Sequence, residues 1–263
     1  MLENKINDFI KIQNGNIAVV IKDLSNNKEI KINENVLFRS ASTIKLCIMS
    51  ELLNKVNEGK LKLEDEIELT EELKIGGDGI LKELKPGHKF SLEEIMTLMI
   101  IVSDNMAANI LIDILGMNNI NKTIQSLGLE NTKLQRKMMD SQAAKKGKEN
   151  FITAKDFAYI LELTYKGKNI NEKYSSIMLD ILKRQQVRGR LDLYLPEEIM
   201  IAHKTGDLDN LEHDGGIVYL HGKVYIICVL TDKTDSNKAG REIIGEISKM
   251  VYNEYLDNNS NVI

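Results

Sequence analysis

The sequence predicts an α+β protein: one antiparallel sheet built from both chain ends and flanked by helices, with a helical segment inserted between its halves. Three observations lead there. β-Branched or alternating apolar runs fall near the two termini, at 17–32 and 199–230. The chain between them carries helical apolar spacing. No strand–helix–strand alternation calls for a parallel sheet. The expected division is a sheet-bearing part, 1–41 with 184–263, and an all-helical part, 42–183.

Each element has a local reason. Leu2, Ile6, Phe9, Ile10 and Ile12 give a short amphipathic helix. The run Ile17 to Ile21, the turn residues Ser25-Asn26-Asn27 and the alternating Ile30 and Ile32 give a hairpin. A helix from Ser42 to about Asn57 buries Leu46, Met49, Leu52 and Leu53. Ser91 answered by Glu94 is a capping box that opens an apolar helix through Val102. Another helix runs from Met106 to Leu115 and stops at Gly116, and two more lie near Ala154–Tyr165 and Glu172–Lys183. The polar stretch between Leu134 and Phe151 has no useful period and reads as a surface loop. Beyond Pro196, strands are expected at Ile199–Ala202, Gly215–Leu220 and Val224–Leu230, the last two joined by His221-Gly222-Lys223. An amphipathic helix from about Arg241 to Tyr255 closes the pattern.

Composition excludes several classes of function. With 263 residues the chain can bury a large core, and 43% hydrophobic with 28% charged residues is ordinary for a globular protein. A net charge of −4 offers no basic stripe for nucleic acid. No apolar run approaches the roughly 18 residues of a membrane span. The first residues lack a basic segment followed by an apolar one, so a cytoplasmic location is expected as written, or secretion if an export signal was removed. Cys47 and Cys228 sit in apolar runs and read as buried free thiols. His203, His213 and His221 lack metal-binding spacing, so no metal or cofactor is assigned.

Three short segments carry chemistry. Ser42 and Lys45 are three apart, on one face of a helix if Ser42 begins it. The free N–H groups and positive end of such a helix suit an oxyanion. Lys45 would act as a base only when partly neutral, which burial and a nearby cation such as Lys204 promote. An N-capping serine beside a solvated lysine is the plainer reading. Ser103-Asp104-Asn105 interrupts two apolar helices. It is either a helix cap or a site in which Ser103 relays a proton and Asn105 binds a substrate amide. Lys204-Thr205-Gly206 closes a predicted strand. It is either a strand end with a turn glycine, or a carboxylate-binding pair with a glycine that lets substrate approach.

In this order and context the segments resemble the Ser-x-x-Lys, Ser-Asp-Asn and Lys-Thr-Gly set of class A β-lactamases and penicillin-binding proteins. The resemblance takes in Phe38-Arg39-Ser40-Ala41 before the serine, Met99 to Ala108 around the second segment, and the interval of about a hundred residues to Lys204. It implies a β-lactamase/transpeptidase-like fold with the active site where the two parts meet. It implies Ser42 as acylated nucleophile, Lys45 as its base, Ser103 as proton relay, and Lys204 and Thr205 as carboxylate ligands. Asn105, Thr205, Gly206 and Asp207 would bind substrate, with the N–H groups of Ser42 and Asp207 as oxyanion hole. The implied partner is a small molecule; the oligomeric state is open.

The sequence departs from that family at two places. Aligning Arg136 with the family's loop arginine puts Met138 where a glutamate activates the deacylating water, with Asp140 two residues on as a possible substitute and Asn150 in place of a closing aspartate. After Gly206 come Asp207, Asp209, Glu212 and Asp214 and no arginine. These acids weaken anion binding unless they point away or pair with Arg188, Arg190 or Lys204. The expected function is a class A-type serine hydrolase working through acyl-Ser42. The alternatives are a D-Ala-D-Ala carboxypeptidase or esterase with the same acylation groups, or a slowly deacylating penicillin-binding sensor.

Overall fold

In the computed structural model, which describes residues 1–220 and 222–260, a five-stranded antiparallel sheet is sandwiched between helices. His221 lies outside the described residues. In chain order, α1 (Leu2–Lys11) leads into the hairpin β1 (Asn16–Asp23) and β2 (Glu29–Ile32), then a short β3 (Phe38–Arg39). A 3₁₀ turn, Ala41–Ile44, opens α2 (Lys45–Asn57). The ribbon β4 (Glu66–Glu68) and β5 (Lys89–Ser91) precedes α3 (Leu92–Ile101), α4 (Asn105–Leu115) and α5 (Met117–Ser126). There follow α6 (Ser141–Lys145), β6 (Phe151–Ile152), α7 (Ala154–Tyr165) and α8 (Glu172–Lys183). The last elements are β7 (Met200–Leu208), β8 (Leu211–Leu220), β9 (Lys223–Asp232) and α9 (Asn237–Ser260).

The sheet order is β2-β1-β9-β8-β7, so the N-terminal hairpin pairs with the C-terminal strands through Val20 opposite Cys228. Alternation sorts the side chains. Val19, Ile21, Ile227 and Val229 face α1 and α9, meeting Ile6, Ile244 and Ile247. Ala18, Val20, Ile226 and Cys228 face the other helices, where Phe157 and Met49 are fully buried. Both faces are dry, which is why the strands read as runs rather than strict alternation. Each fully buried Ile or Phe contributes about 1.5–3 kcal/mol. A Cβ at Gly215 would lie 2.6 Å from the Phe157 ring, so glycine there lets α7 lie tightly on the sheet.

Several expected ends hold and others move. The Ser91–Glu94 capping box is formed, and Gly116 ends α4 at φ 78°. Cys47 and Cys228 are free and buried. β7 continues to Leu208, so Lys204-Thr205-Gly206 lies inside the strand rather than at its end. β8 begins at Leu211, which puts Glu212 and Asp214 in ladder positions instead of a loop. α5 is an element without a local sequence signal: its Ile120, Thr123 and Ile124 are buried, but no side chain caps its start. The inserted part also carries the β4–β5 ribbon, and its short β6 pairs with β3. No described helix is long and apolar enough to cross a membrane.

Candidate active site

The site forms where β7 passes the start of α2. Ala41 takes a left-handed φ of 46°, an unusual conformation for a residue with a Cβ, and turns the chain into the 3₁₀ turn that holds Ser42. Thr43 Oγ1 donates to the Ser40 carbonyl at 2.7 Å, and the Ser40 amide donates to the Asn150 carbonyl at 2.8 Å, tying this turn to the loop before β6. Across from it, a Cβ at Gly206 would lie 2.9 Å from the Ser42 amide nitrogen. Only glycine lets the strand come that close.

Lys45 is wholly buried with its ammonium group at the centre of the constellation. Its Nζ lies 2.9 Å from Ser42 Oγ, 2.7 Å from the Ser103 carbonyl oxygen, 3.2 Å from Ser103 Oγ and 2.8 Å from Asn105 Oδ1. Lys204, also fully buried, donates from Nζ to Ser103 Oγ at 3.1 Å and to the Thr205 carbonyl at 2.8 Å. Ser103 thus sits between two lysines. It reaches that place because its φ of 56° reverses the chain between α3 and α4.

Asp104 explains the middle residue of that segment. Its Oδ1 caps α4 by accepting from the Ala107 amide at 2.9 Å. Its Oδ2 accepts from the Ile80 and Leu81 amides at 2.7 and 2.9 Å. The segment is therefore a cap whose neighbours face Lys45: Asp104 anchors the loop at Ile80 and Leu81, while Ser103 and Asn105 bond to Lys45. The Asn105 amide nitrogen in turn donates to the Asp78 carbonyl at 3.0 Å.

Burial is the main cause of the shifted lysines. Desolvation pushes Lys45 down to about 7, although the charges of Asp78, Asp104 and Asp207 pull it upward. Lys204 is held well below the ordinary lysine range by burial and then by the neighbouring Lys45 charge. The Ser103 carbonyl and Asn105 Oδ1 can only accept, so they take two N–H groups of Lys45 in either protonation state. The third position faces Ser42 Oγ. A neutral Lys45 can present its lone pair there and take the serine proton.

Three of the four acids after Gly206, namely Asp207, Glu212 and Asp214, are paired. Arg190, buried beneath β7, donates from Nε to Glu212 Oε2 at 2.7 Å and from Nη2 to Asp207 Oδ1 at 3.0 Å. Arg241 takes the other Glu212 oxygen at 3.0 Å. Asp214 holds His203 Nδ1 at 3.0 Å through both carboxylate oxygens. Of the expected partners, Arg190 is the one used.

Ser42 opens into a cavity of about 380 Å³ lined also by Asp78, Asn105, Met138, Asp140 and Asp207. The stretch from 134 to 150 is therefore a wall of the site and not simply a surface loop. Asn109 grips the Met138 backbone, accepting from its amide at 2.8 Å and donating to its carbonyl at 3.1 Å. Arg136 pairs with Glu149, Nε to Oε1 at 2.8 Å and Nη2 to Oε2 at 3.1 Å. The closing ion pair is thus present, one residue before Asn150, whose side chain instead bonds the 135 and 136 backbone. Asp140 caps α6 through Oδ1 to the Ala143 amide at 2.9 Å.

Ser42, Asn105, Asp140 and Asp207 line the cavity; Lys45, Ser103, Lys204 and Thr205 are buried. Sequence reasoning missed Asp78 and Glu149. Gly76-Gly77-Asp78-Gly79 is a turn signal that marks an irregular wall. The acid next to Asn150 was the signal for the ion pair.

A family model described as the β-lactamase enzyme family matches residues 1–255. β-Lactamase VEB-1 of Pseudomonas aeruginosa is 27% identical over 270 residues, covering 96% of this chain and 90% of that protein. The crystal structure of a β-lactamase from Sphaerobacter thermophilus superimposes with a TM-score of 0.90 at 29% identity, covering 96% of each chain. PBP-A superimposes with a TM-score of 0.89 at 27% identity, covering 97% of this chain and 96% of that one. A variant of PBP-A at the same identity and TM-score is an acyl-enzyme complex with penicillin-G. With this match along nearly its whole length, the chain belongs to the β-lactamase enzyme family and is a serine β-lactamase-like hydrolase.

Proposed function

We propose that this protein is a class A-type serine hydrolase that opens a β-lactam, or a related amide or ester, through an acyl-Ser42 intermediate. The observation that carries the reading is the placement of Lys45 Nζ at 2.9 Å from Ser42 Oγ with its affinity for protons lowered to about 7. Neutral Lys45 takes the Ser42 proton as Oγ bonds to the substrate carbonyl carbon. The carbonyl oxygen becomes an oxyanion and accepts from the Ser42 and Asp207 amides; the glycine at 206 lets β7 approach the Ser42 amide closely. Collapse breaks the bond to the leaving atom, which takes a proton from Ser103 Oγ. Ser103 is resupplied by the lysines on either side of it. Asn105 keeps Oδ1 on Lys45 and offers Nδ2 to substrate, while Lys204 and Thr205 receive a carboxylate. The two parts of the chain, 1–41 with 184–263 and 42–183, meet at this site, since Ser42 and Ser103 come from one and Lys204 from the other.

Water must then release the acyl group. Of the carboxylates lining the cavity, Glu149 is paired with Arg136 and Asp207 with Arg190, which leaves Asp78 and Asp140. Asp140 lies in the loop beside Ser42 and is the proposed base for that water. A second reading, a carboxypeptidase, esterase or penicillin-binding protein with slow release, is favoured by the apolar Met138 in the same wall and by the likeness to PBP-A.

Steady-state hydrolysis of a chromogenic cephalosporin, together with mass spectrometry of the intact protein, separates the readings. Turnover lost in Ser42→Ala supports the first, and a lasting adduct on Ser42 without turnover supports the second. Absence of both an adduct and turnover rejects the acyl-enzyme reading for β-lactams.

A further inference from the structure

The ion pair between Arg190 and Asp207 has a consequence for substrate choice beyond neutralising an acid. Glu212 is fully buried and already receives Arg241 and Asn237 on Oε1, while Arg190 Nε satisfies its Oε2. That half of the Arg190 guanidinium is fixed by the demands of a buried charge. The other half is not. Nη2 points to Asp207, whose side chain is 41% exposed and which also lines the cavity with Ser42.

Thr205 and Asp207 are two apart on one strand and lie on the same face of β7. A carboxylate held at Lys204 and Thr205 would therefore arrive beside the Asp207 carboxylate, whose repulsion Arg190 offsets only in part because the same guanidinium also serves Glu212. The edge of Arg190 that Asp207 occupies, Nη2, is not free to offset what remains of this repulsion. The other cavity acids do not help: Glu149 is taken up by Arg136, and Asp78 and Asp140 make no ion pair among the described residues.

We propose that Asp207 is a specificity-determining residue: its carboxylate fills the anion-binding edge of Arg190 and biases the site against substrates that carry a carboxylate beside the scissile bond, in favour of neutral amides and esters. The inference rests on acylation of Ser42 as proposed above.

The probe is a pair of chromogenic cephalosporins identical except that the ring carboxylate is free in one and a methyl ester in the other. The rate of acyl-Ser42 formation is followed by stopped flow and mass spectrometry, and the ester-to-acid ratio is the readout. Asp207→Asn keeps the backbone amide and the side-chain shape while removing the charge, and the ratio is expected to fall about tenfold. Asp207→Glu retains the charge and keeps the ratio near that of the unmodified protein. Adding Arg190→Gln to Asp207→Asn restores a high ratio, because the freed guanidinium is what receives the acid.

An unchanged ratio in Asp207→Asn, or a fall that Asp207→Glu reproduces, overturns the inference while leaving Ser42 acylation intact. A fall that persists after Arg190→Gln, in a variant whose thermal transition shows it folded, overturns the assigned route through Arg190. No adduct on Ser42 from either cephalosporin removes the acyl-enzyme reading and this inference with it.

Discussion

Lys45 Nζ lies 2.9 Å from Ser42 Oγ while the Ser103 carbonyl and Asn105 Oδ1 occupy two of its other directions. Those two partners accept only, so deprotonation leaves the lone pair aimed at the serine. A group whose affinity is lowered to about 7 is mostly charged below that pH and mostly neutral above it. Acylation should rise with pH through about 7 and then level off. Lys45→Arg, always protonated, should abolish that limb and slow acylation by about 10²–10⁴-fold. Single-turnover rates from pH 5 to 9 check both.

Met138 is nearly buried in the cavity wall and its backbone is held by Asn109. A glutamate there would keep those backbone bonds and bring a carboxylate into the wall. Met138→Glu should speed release of acyl-Ser42 by about 10- to 100-fold with little change in its formation. Decay of the adduct after a single turnover measures this directly.

Asp140 uses one carboxylate oxygen to cap α6. Asparagine caps about as well as aspartate, so Asp140→Asn separates capping from base chemistry. Release of the acyl group is expected to slow about tenfold at unchanged thermal stability. Unchanged release would remove Asp140 from the mechanism.

The Arg136–Glu149 pair is two-pronged and mostly shielded, with side chains 13% and 19% exposed. Glu149→Gln should cost about 1 kcal/mol, and for a chain of this size that lowers the thermal midpoint by about 2–4 °C. Calorimetry checks it.

Gly206 meets the Ser42 amide across the site. In Gly206→Ala the new methyl forces strand and turn apart by a few tenths of an ångström. Acylation should fall at least about tenfold, because displacements of this kind in a pre-arranged site cost far more in rate than in stability.

Much of this was legible in the sequence where the signal is local. The capping box at Ser91, the stop at Gly116 and the spacing of Ser42 and Lys45 are each written within four residues. Elements whose form depends on distant partners were not. β7 reads as a short strand because Lys204, Thr205 and Asp207 are polar, and it is the burial of Lys204 and Thr205 beside the Ala41–Ile44 turn, with Asp207 paired to Arg190, that carries the strand to Leu208. α5 lacks a capping side chain, and its few buried residues are spread among asparagines. The loop at 134–150 has no period because its order comes from Asn109, Asn150 and Glu149 rather than from a repeating face. Sequence named the groups that touch Ser42; Arg190 and Glu149 are set by charge pairing across 17 and 13 residues.

The two cysteines give the molecule an internal clock. Cys47 lies one turn into the helix that carries Lys45, and Cys228 stands in the middle of the sheet opposite Val20 and Gly215. Burial pushes both thiols far above their ordinary range, so neither offers a thiolate to solvent in the folded state. Alkylation of either must wait for an opening event, and its rate counts how often that part of the structure comes apart. Equal labelling rates would mean that the nucleophile helix and the sheet open as one cooperative body. Faster labelling at Cys47 would mean that the nucleophile helix loosens while the sheet beneath it stays closed.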